Sequence, residues 1–122
     1  MSTRVKTIGF YMHHIYSDKK KRLIIDSAKR YELKGLYKFG KPGRVIIQST
    51  NTNDLKQFTK LIKAQTWQIC TISSEFEFDI SINKDIKQFE KFITCETDIQ
   101  IKEGLIEVGL KQFWLDLTGF KN

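Results

Sequence analysis

Apolar residues occupy both alternation phases from Val5 to Tyr16 (VKTIGFYMHHIY), a β-branched and aromatic run that predicts a central strand covered on both sides. The period then lengthens. Ile24, Ala28 and Tyr31 recur at i, i+4 and i+7, with Leu23 and Ile25 widening the stripe, so a helix capped by Ser17 or Asp18 is predicted to run to about Glu32. Gly35 to Phe39 reads as a short strand, Gly40 to Gly43 (GKPG) as a turn, and Arg44 to Ser49 as the returning strand of a hairpin. Thr52 or Asn53 caps a second predicted helix, in which Leu55, Phe58, Leu61 and Ile62 face inward while Lys56, Lys60 and Lys63 point away, ending near Gln65. Trp67 to Ile72 supplies a fourth strand.

The order β-α-β-β-α-β defines an α+β fold of the ferredoxin-like kind: an antiparallel sheet with both helices on one face. Right-handed crossovers make the first and third strands central neighbours. Beyond Ser73 the pattern changes, since Glu75, Glu77 and Asp79 alternate with Phe76, Phe78 and Ile80 as an acidic edge strand or an extended loop. Ile86, Phe89 and Ile93 space Lys84 to Phe92 as a helix, and Thr97 or Asp98 caps another running to Glu107 and stopped by Gly109. The tail from Leu110 to Phe120 carries Phe113, Trp114 and Leu117, for which the open sheet face is the natural site. One domain over residues 1–122 is expected, with a ferredoxin-like core over 1–73 and a helical extension over 74–122 packed on it.

Composition agrees with a folded domain: 122 residues, 40% hydrophobic, with nine Phe, four Tyr and two Trp, supply a core without disulfide or metal. Cys70 and Cys95 lack any CxxC or paired His, so free thiols are expected and no metal or other cofactor is called for. The Met-Ser-Thr-Arg-Val-Lys start lacks the apolar run of a signal peptide, and no stretch is apolar enough for a membrane span, which predicts a cytoplasmic or nuclear protein without a membrane partner.

Charge changes the picture more. The formal net charge is +7, and residues 1–44 hold twelve basic against three acidic side chains (Asp18, Asp26, Glu32), a net of +9. A surface polarised in this way gathers polyanions through its local field and counterion release, although a solvated face explains the same numbers. Lys19, Lys20, Lys21 and Arg22 fill the first turn of the first helix, where the macrodipole opposes cations by about 0.3–1 kcal/mol each. A phosphate held by free N–H groups and these side chains would relieve that cost. The GKPG turn adds Lys41 and Arg44 beside Lys38, yet it is no P-loop, because a strand follows it and the glycines and proline equally serve the turn itself.

His13 and His14 point to opposite faces of a strand and cannot share one metal; one is expected to pack inside, the other to lie near Tyr11 or Tyr16. His13, His14, Tyr16 and Ser17 are read as support for the basic corner. Lys34 to Phe39 (KGLYKF) only superficially matches an RNA-recognition signature, with Leu where an aromatic is needed and on the second strand rather than the third. Ser17 has His14 nearby but no orienting acid, and no cysteine has a His partner, so an enzyme is not expected and no small-molecule substrate is called for.

His13 to Ser17 (HHIYS), the lysine-rich helix start, KGLYKF with GKPG and RVIIQ, and Trp67 after the second helix together resemble the C-terminal domain of RWD-domain-containing protein 2. That domain is grouped with the C-terminal domain of a spliceosomal pre-mRNA-processing factor, a ferredoxin-like module that contacts small nuclear RNA. The likeness runs from about Ile8 to Trp67 and more loosely through Gly109 and Phe113. It implies RNA binding and RNA processing, and no catalysis. The expected function is therefore a non-catalytic module holding RNA backbone through Lys19, Lys20, Lys21, Arg22, Lys38, Lys41 and Arg44. The alternative is a protein-interaction adaptor, docking an acidic partner on the same surface or another subunit on the tail around Phe113 and Trp114.

Overall fold

The computed structural model describes residues 3–119. Its chain runs β1 (Arg4–Met12), α1 (Asp18–Arg30), β2 (Lys34–Lys38), β3 (Gly43–Ser49), α2 (Thr52–Lys63), β4 (Cys70–Asp79), β5 (Phe92–Cys95), α3 (Asp98–Glu107) and α4 (Lys111–Thr118). The sheet order is β4-β1-β3-β2-β5, with β1 and β3 paired antiparallel at the centre. This is the ferredoxin-like α+β fold that the alternation predicts, with one addition: β5 joins β2 in parallel, so the five-stranded sheet is mixed.

Strand parity sorts the core into two layers. Ile8, Phe10, Met12, Val45 and Ile47 turn toward α1 and α2, where they meet Ile24, Ala28, Leu55, Phe58 and Ile62. Phe10 and Phe58 lie at a ring separation of 6.0 Å and are fully enclosed, each contributing roughly 2–3 kcal/mol by burial. On the other face Leu36 and Ile46 pack under Ile101, Leu105, Phe113, Trp114 and Leu117 of α3 and α4. Phe113 and Trp114 thus pack on the open sheet face as expected, and their burial there leaves little of them for the docking role of the adaptor alternative. Phe120 lies outside the described residues.

Several boundaries differ from the sequence expectations. The first strand stops at Met12 rather than Tyr16, because Ile15 leaves the ladder to bridge Gly40. Asn51, one residue ahead of the expected position, caps α2 by accepting from the N–H groups of Asn53 and Asp54. The fourth strand is not Trp67 to Ile72; it starts at Cys70 and continues to Asp79, carrying the acidic residues with it and taking the core past residue 73. There Glu77 pairs with Arg4 at 3.0 Å and Glu75 with Lys6 at 3.5 Å, tying edge strand β4 to β1.

Residues 84–91 form no helix despite the spacing of Ile86, Phe89 and Ile93. Their main-chain groups are claimed elsewhere: Lys87 N–H donates to Val108 O, Phe89 N–H to the buried Gln48 Oε1, and Gly35 N–H to Lys91 O. Ile93 then belongs to β5. Gly35 fits here because its φ is +146° and a Cβ would come within 1.9 Å of Ile46 O.

Candidate nucleic-acid interface

Ser17 adopts an extended backbone and its Oγ accepts from Lys20 N–H, so α1 begins where the sequence predicts and its first turn holds Asp18, Lys19, Lys20 and Lys21, with Arg22 following. Among the described residues none of Lys19, Lys20, Lys21 and Arg22 has a carboxylate within ion-pairing distance. Lys19 and Arg22 are exposed. Lys20 Nζ donates to Thr66 O and lies 4.4 Å over the Trp67 ring, while Lys21 Nζ stands 5.5 Å from the Phe39 ring.

These contacts bring the start of α1 against the chain leaving α2. Trp67 Nε1–H donates to Ile62 O at 2.7 Å, and Lys63 Nζ donates to Cys70 O at 3.1 Å. Lys20 and Lys63 both act on the half-buried Cys70 thiol; burial pushes its pKa up and the two ammonium groups pull it partly back. Lys63 and Trp67 therefore join the basic corner. The sequence carries the signal, a lysine in the last turn of α2 followed by an aromatic, but only the antiparallel packing of α1 and α2 turns it toward Lys20.

The turn lies at the same corner. Ile15 and Gly40 exchange main-chain hydrogen bonds of 2.8 and 3.0 Å, holding the GKPG turn and exposed Lys41 beside the segment that leads into α1. His14 stacks on Tyr16 with ring centroids 4.8 Å apart, and Tyr16 is 58% exposed. Both His13 and His14 are half-buried, so neither is the enclosed histidine expected from strand alternation; the early end of β1 removes that alternation. Ser17 serves as a cap.

Lys38 and Arg44 go elsewhere. They share the sheet face covered by α3 and α4, are 7% and 8% exposed, and both point to Asp98 in the first turn of α3. Arg44 Nε donates to Asp98 Oδ1 at 3.0 Å, and its guanidinium carbon lies 5.6 Å from the ring centroids of Tyr11 and Trp114. The seven-residue set named from the sequence thus divides into an outward group, Lys19, Lys20, Lys21, Arg22 and Lys41, and an inward pair whose charge is met inside the protein. Leu36 of KGLYKF lies under that cover, while its aromatics Tyr37 and Phe39 turn to the α1 and α2 layer, where Tyr37 stacks on Phe92.

Among the described residues no group of three His, Cys, Asp or Glu could hold a metal ion, and no helix is long and apolar enough to cross a membrane.

Residues 9–117 match the family described as Small nuclear ribonucleoprotein Prp3, C-terminal domain. The chain belongs to this family. No curated protein matches it. Similar solved structures are remote: a bacterial light-regulated adenylyl cyclase at 14% identity and a TM-score of 0.53, covering 96% of this chain and 40% of that one; an acylphosphatase from Coxiella burnetii at 8% identity and 0.49, covering 76% and 94%; and full-length HypF in a phosphate- and nucleotide-bound form at 13% identity and 0.49, covering 75% and 12%. These likenesses concern the fold. The chain spans only a small part of the HypF chain and less than half of the cyclase.

Proposed function

We propose that this Prp3 C-terminal-type domain is a non-catalytic RNA-binding module of nuclear RNA processing, holding phosphate backbone at the corner built by Lys19, Lys20, Lys21, Arg22, Lys41 and Lys63. One observation carries the reading. Cations stand in the opening turn of α1, against the helix dipole, without a carboxylate within ion-pairing distance, whereas Lys38 and Arg44 are buried against the Asp98 carboxylate. A bound phosphate supplies the missing charge. The family's description, a small nuclear ribonucleoprotein, supports RNA as the polyanion.

Contacts of this kind recognise backbone and carry little base specificity. Binding of a labelled generic RNA, followed by fluorescence anisotropy over a salt series, tests the reading. Wild-type affinity should fall steeply with salt, and Lys19→Ala with Arg22→Ala should flatten the log–log slope by roughly 1–2. Unchanged affinity and slope in that variant would overturn it.

A further inference from the structure

The two sheet edges are protected unequally. β4 carries Glu75, Glu77 and Asp79 and has a register shift against Gly9 and Phe10, both of which discourage a further strand. β5 at the opposite edge reads Phe-Ile-Thr-Cys, with no charge, proline or bulge, and Ile93 is 49% exposed. Its guard is its shortness. The bond from Gly35 N–H to Lys91 O, 2.9 Å, sets the parity of the parallel ladder, so Phe92 and Thr94 turn their own N–H and C=O groups away from β2.

Cavities flank this edge on both sheet faces, where successive side chains of an added strand would go. On the α3 side is one of about 710 Å³, lined by Leu36 and Ile93, where Glu90, Glu103 and Glu107 outnumber Lys87 and Lys91. On the α1 side is one of about 330 Å³, lined by Leu33 and Tyr37, where Lys29, Lys34 and Lys91 outnumber Glu32. Among the described residues no salt bridge involves any of these charged side chains.

We propose that β5 accepts a short extended peptide of another protein as a sixth strand, its basic and apolar side chains entering beside Glu103 and Glu107 and its acidic and apolar ones beside Lys29 and Lys34. Main-chain hydrogen bonds to Phe92 and Thr94 supply affinity, and the opposite net charge of the two cavity linings supplies selectivity. This surface is separate from the basic corner at the start of α1.

A displayed library of random eight-residue peptides, selected on the whole chain, provides the probe. Selected peptides should alternate in charge by parity and slow hydrogen exchange at the Phe92 and Thr94 amides. Synthetic versions should lose about tenfold or more in affinity when their main chain is N-methylated at alternate residues, and similarly against Glu103→Lys with Glu107→Lys. Thr94→Pro, which removes an outward N–H, should do the same, while Lys19→Ala with Arg22→Ala should leave peptide affinity unchanged. Failure to select any binder, binders indifferent to N-methylation, or protection of Phe92 and Thr94 by self-association alone would overturn the proposal. The N-methylated peptides keep the test decisive even if Thr94→Pro fails to fold.

Discussion

Arg44 on β3 and Asp98 in the first turn of α3 meet in a two-pronged ion pair, Nε to Oδ1 at 3.0 Å and Nη2 to Oδ2 at 3.5 Å, across 54 residues of sequence. Lys38 Nζ stands 3.7 Å from the same carboxylate. One aspartate thus answers two buried cations, and the negative charge also favours the N-terminus of α3. The pair fastens the helical cover to the sheet.

Removing that carboxylate leaves Lys38 and Arg44 enclosed without an anion. Asp98→Ala should destabilise the domain by about 2–3 kcal/mol, less than for a wholly buried pair because the Asp98 side chain is 37% exposed. Urea unfolding measures it. A loss below about 0.5 kcal/mol would show that the pair does not fasten the cover.

Gln48 holds the segment that the sequence reads as a helix. Its Nε2 donates to Thr7 Oγ1 at 3.0 Å and its Oε1 accepts from Phe89 N–H at 2.8 Å, all within the buried interior. Gln48→Ala should cost about 1–3 kcal/mol, since Phe89 N–H loses its partner, and should speed hydrogen exchange at Phe89 far more than at residues of β1. Equal acceleration throughout would point to global loosening instead.

The Cys70 thiol reports on the basic corner. Burial raises its pKa and Lys20 and Lys63 oppose the rise, so phosphate that neutralises those lysines should push the thiol higher and cover it. Saturating RNA should slow alkylation of Cys70 by about threefold or more at slightly alkaline pH, with Cys95 as the internal control. Cys95 is raised by burial alone and lies in the other core layer. Equal rates for Cys70 with and without RNA would argue against contact at this corner.

Asp79 has its carboxyl pKa held below the ordinary 3.8, first by the Ser81 hydroxyl and then by the Ser81 N–H, with Oδ1 accepting from both. A depressed folded pKa stabilises above the unfolded value and is lost as pH falls through the folded one. Its contribution is therefore complete at neutral pH and disappears only below about 3.8. Ser81→Ala should raise the Asp79 carboxyl pKa toward its ordinary value in an NMR titration and leave RNA affinity at neutral pH unaltered.

The arrangement of the first four strands and two helices was legible because it rests on local periodicity. The continuous apolar run in RVIIQS and the i, i+4, i+7 stripe of Ile24, Ala28 and Tyr31 allow few other structures, and Ser17 and Thr97 mark helix starts by chemistry confined to one turn. The basic turn of α1 was readable for the same reason. The spacing of Ile86, Phe89 and Ile93 was not decisive, because those positions also suit a segment whose hydrogen bonds are taken by Gln48, Val108 and Gly35.

Residue order settles which positions carry charge and which face of each element is apolar. Which of those charges a ligand can reach depends on the packing of elements far apart in the chain. Lys38 and Arg44 look no different in sequence from Lys41 or Arg22, yet docking of α3 over their sheet face delivers Asp98 to them. Side-chain periodicity fixes direction within an element, whereas neutralisation depends on which distant element is packed opposite.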